Sequence, residues 1–313
     1  MWETLLWIVG ILVVGSFLYG FVEGIPAARA RVKAEKDHKA LVQNIQTSAR
    51  DYLDLRKSLA LPSVPFTITD DISNDLTESR FGGKAAWPKN VARPKARGNA
   101  PLCFLMQINL RDMPALDGFP SQGLLQFFFA ADDLYGMTFP EGQSDGPTNK
   151  SDILVKHHAS TEDMEEWQLF GHRSETETLD APFLYDNWWA SGFRIAFDAA
   201  RPMAPSISDH RIWDKFWDLK KMFPSKKQFD NYADRWSKDD VRGPVIGGHP
   251  HFTQADPRGH LPDYAVYTYS VLSIPTVSDK IMWGDCGTAS FLIRPDALDK
   301  GRFDDILYNY DCF

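Results

Sequence analysis

Residues 101–109 read PLCFLMQIN, and residues 123–130 read GLLQFFFA. Each is a short apolar run that contains one glutamine and is bounded by Pro, Gly, Asn or Asp, the residues that favour turns. Apolar runs of this length between turn residues predict β-strands rather than helices. The two segments therefore predict two strands of one sheet, and they set the fold class.

Similar short runs recur along the chain after residue 62. The predicted strands are residues 102–108, 123–130, 193–197, 267–274 and 289–293. One helix is predicted over residues 208–223, because Ile212, Phe216, Leu219 and Phe223 recur at helical spacing. No regular alternation of strands and helices is visible, so the predicted class is α+β with largely antiparallel sheets.

The chain begins with a different pattern. Residues 5–22, LLWIVGILVVGSFLYGFV, contain no charge. As a helix this run is about 27 Å long, close to the thickness of the hydrocarbon core of a bilayer. We therefore predict a transmembrane anchor over residues 1–24. A cleaved signal peptide is the alternative, but such a peptide begins with basic residues and residues 1–4 are acidic.

Basic residues lie on one side of the apolar run only. None precedes it, and five follow it: Arg29, Arg31, Lys33, Lys36 and Lys39. The positive-inside rule then places the C-terminal side in the cytoplasm. The three cysteines are too few and too widely spaced for a disulfide framework, which agrees with a reducing compartment.

Residues 25–61 are predicted to form a stalk between the anchor and a domain over residues 62–313. A helix is expected over residues 27–60, with a stripe at helical spacing that includes Leu41, Ile45, Tyr52 and Leu55. The stripe contains polar positions, so docking of the helix is favoured over a coiled coil, and a homodimer remains open.

The net charge excludes one class of partner. It is −8 overall, and residues 1–61 hold eight Lys/Arg against six Asp/Glu, a net of +2, which leaves −10 for residues 62–313. A domain this acidic is not expected to bind nucleic acid. A basic protein partner would suit it, and solubility alone is the other explanation.

Several sequence blocks resemble the YwqG-like family of bacterial proteins over about residues 75–313. They lie in the family's order at residues 79–83, 87–88, 101–109, 123–128, 132–136, 247–258, 283–287 and 307–312. The resemblance implies coiled, bifurcated antiparallel sheets with peripheral helices and no agreed enzymatic activity. Some members look like immunity proteins encoded beside toxins. The anchor lies outside the resemblance, and with a bacterial family it predicts a location in the bacterial inner membrane, with the C-terminal domain in the cytoplasm.

The blocks also predict an internal duplication, with half-repeats at about residues 75–140 and 241–300. Gly82-Gly83 and Gly247-Gly248 are 165 positions apart, and Phe127 aligns with Phe291 at an offset of 164. Chance similarity between two strand–turn units is the alternative. The second half lacks a glutamine like Gln107, so a role for a matched glutamine pair is not expected.

Two sets of candidate site residues follow. A zinc or iron site would use His249, His251, Asp256 and His260, because imidazole and carboxylate suit these metals. The alternative for these histidines is a solvated loop, and His249 departs from the family's aromatic residue. A polar binding site between the halves would use Gln107, Asp133, Tyr135, Gln254, Asp285 and Asp311.

No catalytic residue and no cofactor is predicted. Cys286 lies in a Trp-Gly-Asp-Cys-Gly segment that is typical of a tight turn, and no histidine is near it in sequence. The predicted function is that of a membrane-anchored, cytosol-facing protein that binds a protein partner. An immunity-type protein that captures a toxin is one form of this prediction. The alternative is a hydrolase or a metal-dependent enzyme.

Overall fold

The structure is a computed structural model that describes residues 25–95, 102–130, 132, 134–139, 152–167, 192–236 and 243–313. The strands are β1 Leu61–Ile72, β2 Arg80–Phe81, β3 Ala85–Pro88, β4 Leu102–Asn109, β5 Leu124–Ala130, β6 Ile153–His158, β7 Met164–Trp167, β8 Phe193–Phe197, β9 Arg201–Met203, β10 Val245–Gly247, β11 Tyr269–Pro275, β12 Thr288–Ile293 and β13 Ile306–Asp311. The helices are α1 Ile25–Ser58, α2 Trp213–Met222, α3 Lys226–Trp236 and α4 Pro295–Leu298, with 3₁₀ turns at Pro257–Gly259 and Pro262–Tyr264.

The described residues form two compact units. A helical unit contains α1 as far as Leu55 and residues 214–235, and a sheet unit contains most of the remainder. In the helical unit the ring of Tyr52 packs 6.0 Å from Phe216, whose ring lies 5.3 Å from Phe229. The apolar stripe of α1 is thus docked on α2, as the sequence favours.

Among the described residues, no helix combines the length and apolar character needed to cross a membrane. The predicted anchor, residues 1–24, lies outside the described residues. Its prediction rests on the sequence.

The sheet unit contains one 11-stranded sheet whose strand pairs are all antiparallel. The order is β13-β12-β11-β10-β1-β8-β2-β4-β5-β6, and β9 also pairs with β1. A separate ribbon is formed by β3 and β7. The predicted largely antiparallel sheet with a few helices is therefore observed.

Strand β1 joins the two sides of this sheet, and the sequence did not predict it. Its first residues pair with β9 and β10, and from Phe66 onward it pairs with β8. The change of partner falls beside Pro65, which has no N–H to give to a ladder. Two prolines in one strand conceal it from a pattern-based prediction.

A four-stranded meander lies on each side of β1, with the same internal order: β2-β4-β5-β6 and β10-β11-β12-β13. The register slips between Phe104 and Met106 in the first meander, and between Ser270 and Leu272 in the second. Ser270 lies 166 positions after Phe104, and Leu272 lies 166 positions after Met106. The register therefore shifts at equivalent residues of the two meanders.

The core lies between the two meanders. Phe127 of β5 and Phe291 of β12 are fully buried, and their rings are 5.3 Å apart. Phe129 similarly lies 5.6 Å from Trp283. The sheet therefore curls until β5 and β12 face each other across one shared core.

Candidate functional site

Four of the six predicted binding residues meet at the end of β13. Asp311 accepts hydrogen bonds from the backbone N–H groups of Thr253 (3.1 Å) and Gln254 (2.8 Å). The side-chain amide of Gln254 donates to the carbonyl of Cys312. The backbone N–H of Phe313 donates to the carbonyl of Asp285 over 3.1 Å.

Tyr135 reaches the same place from the first meander. Its ring lies 4.5 Å from Tyr310 and 5.7 Å from Trp283. The hydroxyl of Tyr310 in turn donates to Sγ of Cys312 over 3.4 Å. We name this group the last-strand cluster: Tyr135, Gln254, Asp285, Tyr310, Asp311, Cys312 and Phe313.

The backbone of this cluster, and of the residues on either side of Asp285, is held in uncommon conformations. Tyr135 and Cys286 have φ of 53° and 56°, in the left-handed region that non-glycine residues rarely enter. Gly284, with φ of 52°, lies against Tyr310 and Cys312, so a side chain at that position would overlap them. The Trp-Gly-Asp-Cys-Gly segment is thus a tight turn, which fits the sequence interpretation.

The cluster has a buried and an exposed side. Burial raises the pKa of Asp311, and the N–H groups of Gln254 and Thr253 oppose that increase. Gln254, Asp285 and Cys286 are exposed, and Phe313 is 82% exposed. The exposed side therefore combines an aromatic ring, an amide and a carboxylate.

The other two predicted binding residues are not brought to this cluster. Gln107 is fully buried in β4: its Oε1 accepts from the Ala86 N–H and from Nε2 of Gln126, and Gln126 also donates to the Ala86 carbonyl. All of these bonds are internal, which indicates a structural role. Asp133 lies outside the described residues.

Serines take the equivalent positions in the second meander. Ser273 and Ser290 are opposed across β11 and β12, and their hydroxyls are 2.9 Å apart. The His251 N–H donates to Ser273, and Ser290 donates to the His251 carbonyl. The serine pair makes the same backbone contacts as the glutamine pair, although the sequence lacks a second glutamine there.

The structure does not bring the four predicted metal ligands together. His249 is buried; its Nε2–H donates to the Leu59 carbonyl (2.7 Å), and its Nδ1 accepts from Arg211 (2.9 Å). Burial and the neighbouring Arg211 lower the pKa of His249 to about 4, so the ring is neutral. Both ring nitrogens are occupied, which leaves none for a metal ion. His251 and His260 are exposed.

Asp256 instead belongs to an ion-pair network. Its Oδ1 accepts from N and Nε of Arg258, and its Oδ2 accepts from N and Nδ1 of His210 and from Nη2 of Arg258. Arg258, with a fully buried side chain, also donates to Asp209 over 3.0 Å. The network comprises Asp209, His210, Arg211, His249, Asp256 and Arg258.

Two arginines balance the two carboxylates of this network. Burial alone would raise the pKa of Asp256, but hydrogen bonds from His210 and Arg258 hold it well below its usual range. Asp209, His210 and Asp256 could in principle share a metal ion. Among the described residues, they are the one group of three His, Cys, Asp or Glu side chains whose possible metal-binding atoms lie within 4.8 Å of one another. Five donors already bind Asp256, so its lone pairs are used.

Sequence reasoning missed Asp209, His210 and Arg211, which are about 46 positions from Asp256. A signal was present. Asp209-x-Arg211 and Asp256-x-Arg258 have the same spacing, and in both the arginine binds the preceding aspartate with its N, Nε and Nη2. A repeated Asp-x-Arg motif predicts two such local ion pairs.

A comparison with known proteins identifies a family for most of the chain. The family model described as Domain of unknown function (DUF1963) matches residues 79–312, three quarters of the chain, and no curated protein matches. The matched region contains both meanders and leaves out α1 and β1. The chain belongs to this family of unknown-function domains.

Proposed function

We propose that the protein is a membrane-anchored binding protein that captures a protein partner at the exposed side of the last-strand cluster. The observation that carries the proposal is the position of Phe313, an 82% exposed ring beside the exposed Asp285. Hydrogen bonds to Asp285, Thr253 and Gln254 hold the strand end that presents this ring. Aromatic side chains are enriched in protein–protein interfaces, where polar groups surround them.

Charge supports a basic partner. Residues 243–313 hold five Lys/Arg against nine Asp/Glu, a net of −4. Arg258 and Asp256 are both buried in the ion-pair network, so the remaining residues of this region keep the net of −4. A partner with a basic surface would be attracted to this region, and its association would weaken as salt is raised.

The same proposal includes the location and the finer family assignment. The uncharged residues 5–22 and the five basic residues after them support an inner-membrane anchor with the domain in the cytoplasm. The ordered sequence blocks support a YwqG-like protein, and a toxin captured in the manner of an immunity protein would be one such partner.

We further infer that the sheet unit descends from two half-domains. Three observations support this. The meanders share a strand order, and their register shifts at equivalent residues. In each, a pair of polar side chains binds the backbone N–H and carbonyl of one residue, which is Ala86 in the first and His251 in the second. Phe127 and Phe291, which align in sequence, also contact each other in the core, as residues near a pseudo-twofold axis would.

The test of partner capture is purification of the full chain from membranes and identification of stoichiometric partners. We expect Phe313→Ala combined with Asp285→Asn to reduce recovery of the partner at least tenfold. The matched control, Val91→Ala with Asp71→Asn, changes an exposed apolar and an exposed acidic residue elsewhere and should retain it. Equal loss in both variants, or no partner at any salt concentration, would refute the proposal.

A hydrolase is the second candidate, and one observation favours it. His210 Nδ1 is bonded to Asp256 over 3.0 Å, the arrangement that orients a histidine for proton transfer at Nε2. Hydrolysis of ester, amide and phosphoester substrates that is lost in His210→Gln and kept in His260→Gln would support it. A metal-dependent version requires a fall in melting temperature after chelation.

A further inference from the structure

Much of α1 extends beyond the part that packs. Among residues 30–44, which we name the exposed stalk segment, only His38 and Val42 are half-buried, and the rest are exposed. Burial begins further along the helix, where Ala49, Tyr52 and Arg56 are almost completely covered. Helices of this kind draw most of their stability from packing, so a long exposed segment needs another reason.

The segment has a basic face. Lys33, Lys36 and Lys39 are three positions apart, and at about 100° per residue they cover roughly 120° of the helix. Glu35 and Asp37 lie about 100° to either side of Lys36. Glu35 pairs with Lys39 over 3.0 Å at the edge of the stripe, and both side chains are exposed. Tyr52 falls about 160° from Lys36, so the lysine stripe faces away from the packed side.

A second copy of the chain is a poor match for this surface. The exposed large apolar residues of the segment are Val32 (68%) and Leu41 (37%). They are nine positions apart, which places them on opposite faces of the helix. The segment therefore has no continuous apolar seam for a coiled coil.

An anionic lipid surface matches it better. The uncharged residues 5–22 end two residues before α1 begins at Ile25, and Arg29 and Arg31 add to the positive charge of this part of the chain. Over residues 25–44 there are five Lys/Arg against two Asp/Glu, a net of +3. Basic residues next to an anchor are attracted to anionic headgroups at the bilayer surface.

We propose that the exposed stalk segment binds anionic phospholipid headgroups through Lys33, Lys36 and Lys39. This rests on the anchor in the proposed function. It adds a second, charge-dependent membrane contact, which sets how the stalk lies against a bilayer of given composition. The segment would detach when the anionic lipid is diluted, while the anchor stays inserted.

The test is hydrogen exchange of residues 30–44 in the full chain, reconstituted in nanodiscs of phosphatidylcholine with or without phosphatidylglycerol. We expect at least tenfold slower exchange with the anionic lipid. The variant Lys33→Gln/Lys36→Gln/Lys39→Gln should lose that slowing. The control Lys221→Gln/Lys226→Gln/Lys227→Gln, which removes three exposed lysines from elsewhere, should keep it.

Other results would overturn the proposal. Equal exchange in both lipids excludes headgroup binding, and slowing that depends on protein density rather than lipid charge indicates self-association. If the control variant loses the slowing of hydrogen exchange as fully as the Lys33/Lys36/Lys39 variant does, the effect comes from total charge and not from the stalk lysines. Failure of the chain to enter either nanodisc contradicts the anchor itself, and is thereby distinguished from failure of the lysine stripe.

Discussion

At the scale of residues, the Asp-x-Arg pairs show how buried charge is tolerated in this fold. Arg258 has a fully buried side chain and holds both Asp209 and Asp256. Removing one partner of a buried ion pair lowers the free energy of unfolding far more than replacing the whole pair with apolar residues does. The reason is that the remaining buried charge is left uncompensated. The network therefore binds the loop at residues 205–211 to the loop at residues 256–260.

The variant Arg258→Ala should lower the free energy of unfolding by about 3–5 kcal/mol. It leaves the carboxylates of Asp209 and Asp256 buried with one arginine fewer. Urea denaturation of the detergent-solubilised chain measures the change. The control Arg302→Ala removes an arginine that is about half exposed and should cost less than about 0.5 kcal/mol. Similar values for the two would show that the network is not structural.

A second prediction at the scale of residues concerns His158, which should make the stability of the fold depend on pH. It is buried, its ring lies 4.7 Å from Trp87, and burial, with smaller effects of Lys156 and His157, lowers its pKa to about 4. Between about pH 6.5 and pH 4 the unfolded chain binds a proton here that the folded chain does not. Stability should therefore fall as the pH falls through this range, by about 1–3 kcal/mol from this group.

The measurement is the unfolding free energy at several pH values for the parent chain and for His158→Gln. The variant should have a shallower loss of stability below pH 6.5, although His249, with its pKa also lowered to about 4, maintains part of the slope. His260→Gln, at an exposed position, serves as the control and should leave the slope unchanged. An NMR titration giving His158 an ordinary pKa would contradict the explanation.

At the scale of elements, two glycines occupy the same place in the two meanders. Gly123 precedes β5 and lies against the carbonyl of His158 at the end of β6. Gly287 precedes β12 and lies against the carbonyl of Asp311 at the end of β13. In both, the third and fourth strands approach so closely that a Cβ would overlap a backbone oxygen.

Gly123→Ala and Gly287→Ala should each lower the unfolding free energy by about 2–4 kcal/mol, since the backbone must shift to admit the methyl group. Gly243→Ala is the matched control, because a Cβ there meets nothing within 4 Å. Thermal or urea unfolding gives the comparison. If either variant is within about 0.5 kcal/mol of the control, the two strand ends are not equivalent in packing.

At the scale of the whole molecule, each of the two units has packing contacts of its own within residues 25–313. α1 packs on α2 through Tyr52, and the sheet unit has its own core. We therefore expect deletion of residues 1–24 to yield a protein that leaves the membrane fraction and keeps the melting temperature of the parent within a few degrees. Circular dichroism and membrane fractionation test this. A truncated chain that is unfolded or aggregated would show that the first residues stabilise the fold.

The orientation is a separate prediction. A reporter that is active only outside the cytoplasm, fused after residue 313, should be silent in the natural chain. Neutral residues at Arg29, Arg31, Lys33, Lys36 and Lys39, with lysine added beside Glu3, should invert the protein and activate the reporter. Activity in the unaltered fusion would place the domain on the other side of the membrane.

In the described part of the chain, the local sequence determined five of the thirteen strands and two of the helices. The runs at residues 102–108, 123–130 and 289–293 match β4, β5 and β12 within one residue, and the helix expected at 27–60 is observed at Ile25–Ser58. Short apolar runs with turn residues at both ends carry their own signal. The equivalence of Phe127 and Phe291 was also visible as a constant offset.

The sequence named candidate polar residues, and the tertiary structure decided which of them lie together. Tyr135, Gln254, Asp285 and Asp311 meet because β13 ends beside three separate loops. Asp256 is hydrogen-bonded to His210, whereas His249 is hydrogen-bonded to Leu59. Which loops come into contact depends on how strands distant in sequence pair, and the local sequence does not show this. β1 was missed for the same reason: its prolines oppose a strand locally, and the long-range pairing with β8 and β10 outweighs them.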